Sequence, residues 1–253
     1  MKLRSPFLPQ QLLFQLVLTL FLLAGSVGFA QDTVIMRTGA QQQFKVLGVS
    51  GTNVMVKTQF GEQGFPLTQV KEVRLAAVPP QYNAALTAFQ AKDYAKALGI
   101  LQPLMSKWRG LPAPWAEQGT AMLGDIQAEL GDLAKAEAAY KHFQQLYPGS
   151  ALADIGIAAM EVNKKEYAAA MKRLNPVTTK ALEEKNVPYE KALAYSKAFY
   201  LSGQAKEAEG DLAGALEDYL RTVTLFYHDR ASVALAQEKA DALRKANETL
   251  IVP

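Results

Sequence analysis

The sequence predicts a mainly α protein, an α-solenoid of about four helix pairs plus a capping helix, preceded by a small antiparallel β-module. Three observations lead there. Alanines recur at positions 97, 136, 170 and 215 inside similar segments, at intervals of 39, 34 and 45 residues. Self-similarity at such intervals indicates stacked supersecondary units. The chain changes character at Val78-Pro79-Pro80. Before that point, short β-rich runs are broken by glycine turns every ten residues or so.

The first segment reads as an export signal. Lys2 and Arg4 form a positive head, Leu12 to Ala24 an apolar middle, and Gly25, Ser26, Gly28 and Ala30 a small-residue exit. This order is the secretory pattern, with cleavage expected after Ala30. The alternative is an uncleaved anchor, because about 20 apolar residues span a bilayer and Leu12 to Ala30 comes close to that. The expected location is therefore periplasmic or secreted, with membrane attachment only if the signal is retained. The chain contains no cysteine. The fold must do without disulfides in an oxidising compartment, and no lipid-modified cysteine follows the signal.

The chain has 253 residues, of which 27 are basic and 24 acidic, for a net charge of +3. Without Lys2 and Arg4, 25 basic residues face 24 acidic ones and the net charge is +1. That balance gives no bulk electrostatic reason to bind nucleic acid or an anionic membrane.

Residues 31–78 form the expected β-module. Thr33 to Arg37, Phe44 to Val49, Val54 to Thr58, Gly64 to Leu67 and Val70 to Leu75 read as strands. Turns fall at Gly39, Ser50-Gly51 and Gly61. This pattern predicts a meander closing toward a small barrel. It resembles the SH3-like or Sm-like barrels at the front of some bacterial envelope proteins. So short a module buries little surface, so it is expected to lean on the first helices of residues 79–253.

The helical part repeats one scheme: an acidic residue, a Tyr or Leu, Ala, any residue, Ala, and a large apolar residue four positions on. It occurs from Lys92 to Leu101, Gly131 to Tyr140, Lys165 to Leu174 and Gly210 to Tyr219. Small residues let paired helices approach, and the residue four positions later falls on the same face. Gly131 and Gly210 suit a helix stop, and Asp132 and Asp211 can cap the next helix. Two longer connections are expected, at Arg109 to Trp115 and from Asn175-Pro176 to Pro188. A final helix is expected from Asp229 to Glu248, with Val233, Leu235, Ala240 and Leu243 turned inward.

These segments resemble the tetratricopeptide repeat family over residues 82–228. The second repeat fits best, with Leu123-Gly124, Ala136, Tyr140, Phe143 and Pro148. The first and third lack the leading Trp and the Leu-Gly pair, and the fourth has Ser202-Gly203. The resemblance implies a protein that is not an enzyme and holds other envelope proteins or peptides. The groove would be lined by the first helix of each repeat. Carried over, it places Tyr82, Leu86 and Phe89 on the first repeat, Ala121, Asp125 and Glu129 on the second, Ile155 and Val162 on the third, and Tyr200, Gln204 and Glu207 on the fourth. Tyr82 and Phe89 could equally pack against the β-module. The Lys and Asn residues of the family's carboxylate clamp do not occupy these places.

Motifs of chemistry are scarce. His142 and His228 lack metal-ligand spacing, and no P-loop, dinucleotide fingerprint or nucleophile elbow occurs. No cofactor or metal is expected. Glu183-Glu184 and the pair Glu207 and Glu209 read as solvated faces. The alternative to a scaffold is a β-module that binds a glycan or peptide ligand, with the helices as support. Trp108, Trp115 and Phe65 are then candidate stacking residues, with core packing as the competing reading for each.

Overall fold

A computed structural model describes residues 31–247. The expected export signal, residues 1–30, lies outside the described residues. Five strands come first: β1 (Asp32–Met36), β2 (Gln41–Ser50), β3 (Asn53–Thr58), β4 (Gly61–Pro66) and β5 (Val70–Arg74). They form one sheet in the order β4-β3-β2-β1-β5, every neighbouring pair antiparallel. The alternation read in the sequence places Val34, Val46, Val54 and Val56 on the buried face, while in β5 a bulge opposite Ile35 and Met36 brings both Val70 and Val73 to it. Asp32 ties the two ends of the module. Its Oδ2 accepts from the Val46 amide at 2.8 Å and its Oδ1 from the Ala76 amide at 2.8 Å. The expected closure goes only part of the way: β5 turns back to pair with β1, while β4 and β5 remain the two edges without a ladder between them.

Nine helices follow among the described residues: α1 (Pro80–Gln90), α2 (Tyr94–Trp108), α3 (Pro114–Glu129), α4 (Leu133–Leu146), α5 (Leu152–Asn163), α6 (Tyr167–Glu183), α7 (Tyr189–Glu209), α8 (Leu212–Thr224) and α9 (Arg230–Ala246). Each packs mainly on its neighbours in sequence, and α3, α5 and α7 also touch in succession. That is the contact pattern of a stack of helix pairs. Ala97, Ala136, Ala170 and Ala215 are all fully buried, and so are the large residues four positions on, Leu101, Tyr140, Leu174 and Tyr219. Burying each large side chain contributes about 1.5–3 kcal/mol.

The turns between paired helices share one backbone device. The residue two before each second helix is left-handed: Lys92 (φ 60°), Gly131 (φ 81°), Lys165 (φ 63°) and Gly210 (φ 89°). The aspartate that follows caps the next helix in three of the four. Asp93 accepts from the Lys96 amide, Asp132 from the Lys135 amide and Asp211 from the Gly214 amide. Only glycine takes the left-handed conformation freely. Lys92→Gly and Lys165→Gly are therefore each expected to raise stability by about 0.5–1 kcal/mol, read as a higher urea midpoint. An unchanged midpoint would mean that the lysine side chains compensate at these turns.

The connections differ from expectation in one place. Residues 175–183 are not a loop, because α6 runs through Pro176 to Glu183. A proline inside a helix removes one donor and orphans the carbonyl four residues back. Pro176 and Lys172 are both exposed, so water can serve that carbonyl. Pro103 inside α2 has the same exposed setting with Gly99. The last helix also differs. Its buried stripe is Ser232, Ala236, Ala240 and Leu243, while Leu235 is exposed, since helical spacing from Ala240 selects 236 and 243.

Sheet and helices share a core. The six buried valines cluster with Tyr82, Ala85, Leu101, Trp108, Trp115 and Ile126. The Val73 amide donates to the Pro112 carbonyl at 2.7 Å, so the first long connection covers part of the β5 edge. At Gly48 (φ 139°) β2 comes so close to the end of α2 that a Cβ would stand 2.8 Å from the Lys107 carbonyl oxygen.

Candidate functional site

The faces of α3, α5 and α7 carry the residues of interest, and tyrosines from the second helices reach through to them. Tyr140 on α4 passes between α3 and α5, where Gly124 and Gly156 make room. A Cβ at Gly124 would lie 2.5 Å from its ring. The Tyr140 hydroxyl donates to Asp125 Oδ1 at 2.8 Å. Lys197 Nζ, on α7, approaches the same oxygen at 3.3 Å. Since α5 lies between α3 and α7, a side-chain contact across it means that this face curves inward. The fourth pair repeats the arrangement. Tyr219 sits over Gly203, its hydroxyl donates to Glu207 Oε2 at 2.6 Å, and Lys239 Nζ lies 3.1 Å from that carboxylate. A third set joins Tyr195, Glu184 and Lys191.

These contacts set the electrostatics. Burial pushes Tyr140 and Tyr219 well above the ordinary tyrosine value, and their carboxylate partners add to the shift. Tyr82, Tyr147 and Tyr195 are pushed up to about 12, again mainly by burial. The hydrogen bond from Lys191, with that from Tyr195, holds the Glu184 carboxyl below its usual range. Protonated tyrosines are thus favoured in the folded state. Their contribution is fully present below pH 10, the unfolded value, and is lost as pH rises toward 12 and beyond. Each fully buried tyrosine should steepen that fall by about 1.4 kcal/mol per pH unit. In a chain with the exposed Tyr189 and Tyr227 replaced by Phe, circular dichroism and tyrosinate absorbance are expected to change together above pH 10. Ionisation of the buried tyrosines well before helix loss would refute the coupling.

An open cleft of about 770 Å³ lies beside this face. It is bounded by Glu117 and Gln118 of α3, Leu152 and Asp154 of α5, Val177 and Lys180 of α6, and Ala194 and Tyr195 of α7. The loop from Tyr147 to Ala151 closes one side. Tyr147 holds that loop to the first long connection, with its hydroxyl accepting from the Gly110 amide at 2.8 Å and donating to the Leu111 carbonyl at 3.2 Å.

The eleven groove residues expected from sequence do not line this cleft. Tyr82 is buried edge-on to Trp115, and its hydroxyl donates to Gln118. Leu86 and Phe89 pack against the shared sheet–helix core. Ile155 is buried, as are Ala121 and Val162. Asp125 is engaged by Tyr140 and Lys197, while Glu129 is exposed. Tyr200 and Gln204 are half-buried, with Tyr200 against the Tyr219 ring. Helical phase explains the difference. Positions assigned by repeat alignment fall on sides of α1 and α5 that neighbouring elements cover. Glu184 and Glu207, read as solvated, are instead partners of buried tyrosines. Trp108 and Trp115 stack edge to face inside the core, and Phe65 packs on Phe44. The four cleft-lining prolines, 114, 148, 176 and 188, are the one sequence signal that clusters there.

Among the described residues no three His, Cys, Asp or Glu side chains gather as a metal site, and no helix is long and apolar enough to cross a membrane. The fold defines a helical protein of stacked helix pairs carrying a small antiparallel sheet. Among solved structures, the chain is similar to MamA (residue 41 to its end) from Desulfovibrio magneticus RS-1, with 17% identity and a TM-score of 0.40, over 68% of this chain and 100% of that one. It is similar also to the MamA RS-1 ArsTM double mutant, with 18% identity and a TM-score of 0.38, over 68% and 99% of the two chains. No protein family and no curated protein matches the sequence.

Proposed function

We propose that this protein is a non-enzymatic scaffold of the bacterial cell envelope, exported by its N-terminal signal, that holds an extended or helical peptide of a partner protein. The resemblance of its repeats to tetratricopeptide arrays supports the reading. The observation that carries it is the cleft beside α3, α5 and α7. It is open, built from three successive repeats, and lined by apolar side chains with a few charged ones. A peptide with an apolar anchor fits such a surface. Away from the cleft lining, Asp125, Glu184 and Glu207 are engaged by tyrosine hydroxyls, and in the cleft Asp154 is paired with Arg173. A catalytic acid–base pair would need groups poised to exchange protons.

Photo-cross-linking in intact cells tests this. A benzophenone residue at Leu152 or Ala194 is expected to trap one defined partner, and Ala194→Arg in the same cleft should abolish the Leu152 adduct. Equal adducts from exposed Lys141 on α4 would refute the cleft assignment. The mass of the purified cellular protein tests the signal, because the mature chain is expected to begin at Gln31.

A further inference from the structure

The chain's near-neutral total hides a division. Residues 31–113 hold nine basic and four acidic side chains, a net of +5, whereas residues 114–247 hold 16 basic and 19 acidic, a net of −3. Part of that positive charge is concentrated at one end of the sheet. Lys45 on β2 and Lys57 on β3 stand directly opposite each other in the antiparallel register. Like charges so placed repel, and neither is ion-paired among the described residues. Glu62 on β4 stands opposite Lys57 without forming an ion pair, and both oxygens of nearby Asp32 are taken by backbone amides.

Beside the lysines, Phe60 is 85% exposed at the tip of the β3–β4 turn. Turn tips are ordinarily polar or glycine. This turn is fixed, since Thr58 Oγ1 donates to the Gly61 carbonyl at 2.9 Å and accepts from the Phe60 amide at 3.1 Å. The ring and the lysines border a concavity of about 1000 Å³, together with Gln43, Gln59 and Gln63.

We propose that this concavity binds an acidic oligosaccharide, a chain of sugars carrying carboxylates. The two lysines would meet the carboxylates, which also relieves their mutual repulsion. The glutamine amides both donate and accept, as sugar hydroxyls require. Phe60 offers a flat apolar face for the C–H side of a pyranose ring. The charged side chains of the concavity are lysines and an aspartate, with no arginine fork of the kind suited to bidentate phosphate recognition.

Calorimetry on the full mature chain tests the site with three probes: oligogalacturonate, the same oligosaccharide methyl-esterified, and polyphosphate. Oligogalacturonate is expected to bind, less tightly as salt rises, and at least about tenfold more tightly than either other probe. K45Q/K57Q and F60A should each weaken it by about tenfold or more. These positions are exposed, and unchanged near-ultraviolet circular dichroism from Trp108 and Trp115, which share a core with the sheet valines, would confirm that the module folds. Equal binding of the ester overturns the role of charge. Polyphosphate binding as tightly overturns the sugar assignment. No binding, or variants that bind like the wild type, overturns the site. None of these outcomes bears on the helical cleft, which is on a different part of the chain.

Discussion

Tyr140→Ala is expected to lower the unfolding free energy by about 4 kcal/mol, within the range for emptying a large aromatic site. The ring is fully buried between three helices and fills the notch left by Gly124 and Gly156. Neither glycine has a side chain to collapse into the space, so the cavity persists. The substitution also leaves Asp125 without its 2.8 Å donor. Tyr140→Phe keeps the ring and removes only the hydroxyl, and should cost about 1–1.5 kcal/mol. Urea unfolding followed by circular dichroism reads both. A Tyr140→Ala loss below about 1.5 kcal/mol would mean that the helices close over the gap and that the notch does not set their spacing. Tyr219 over Gly203 has the same geometry in a separate cluster, so the two losses should add.

Asp218→Ala is the second large effect, at about 3 kcal/mol. Asp218 on α8 is about 1% exposed and accepts from Ser202 at 2.6 Å. Lys206 Nζ lies 2.6 Å from the same oxygen, and Arg221 lies 3.0 Å from the other. Removing the carboxylate leaves Lys206 without an anion beside Arg221, which keeps Glu217, and leaves the buried Ser202 hydroxyl only the weak Met171 sulfur acceptor. The cations are about one quarter exposed, so water softens the loss. Asp218→Asn keeps the shape and one acceptor and should cost less than alanine. If the two variants unfold at the same denaturant concentration, shape rather than charge governs this site.

The helical part was legible because its periodicity is strong. Ala136 and Tyr140 are spaced for one helix face, and both prove buried. The turn chemistry was legible at Asp132 and Asp211, which cap as expected. It was not legible at Lys92 and Lys165, where a residue ill-suited to a left-handed turn holds one because the repeat around it dictates the path. Pro176 read as a break, yet its exposed position lets α6 continue. Groove residues were harder still. A repeat alignment gives the helix but not its rotation against neighbours, so Tyr82 and Ile155 were placed on a surface they do not reach. Phe60 gave only a faint signal, an aromatic residue beside a turn glycine.

By itself the sequence determined the elements and their order: strands by alternation, helix pairs by alanine spacing, the junction by two prolines. Those are local matters of backbone conformation and of which residues must leave water. The tertiary structure alone decided which polar groups meet. Asp125 and Lys197 lie 72 residues apart in sequence and 3.3 Å apart in space, and Lys45 and Lys57 become opposed only once a strand register is chosen. Such contacts depend on how rigid elements rotate and stack, and no local pattern encodes that.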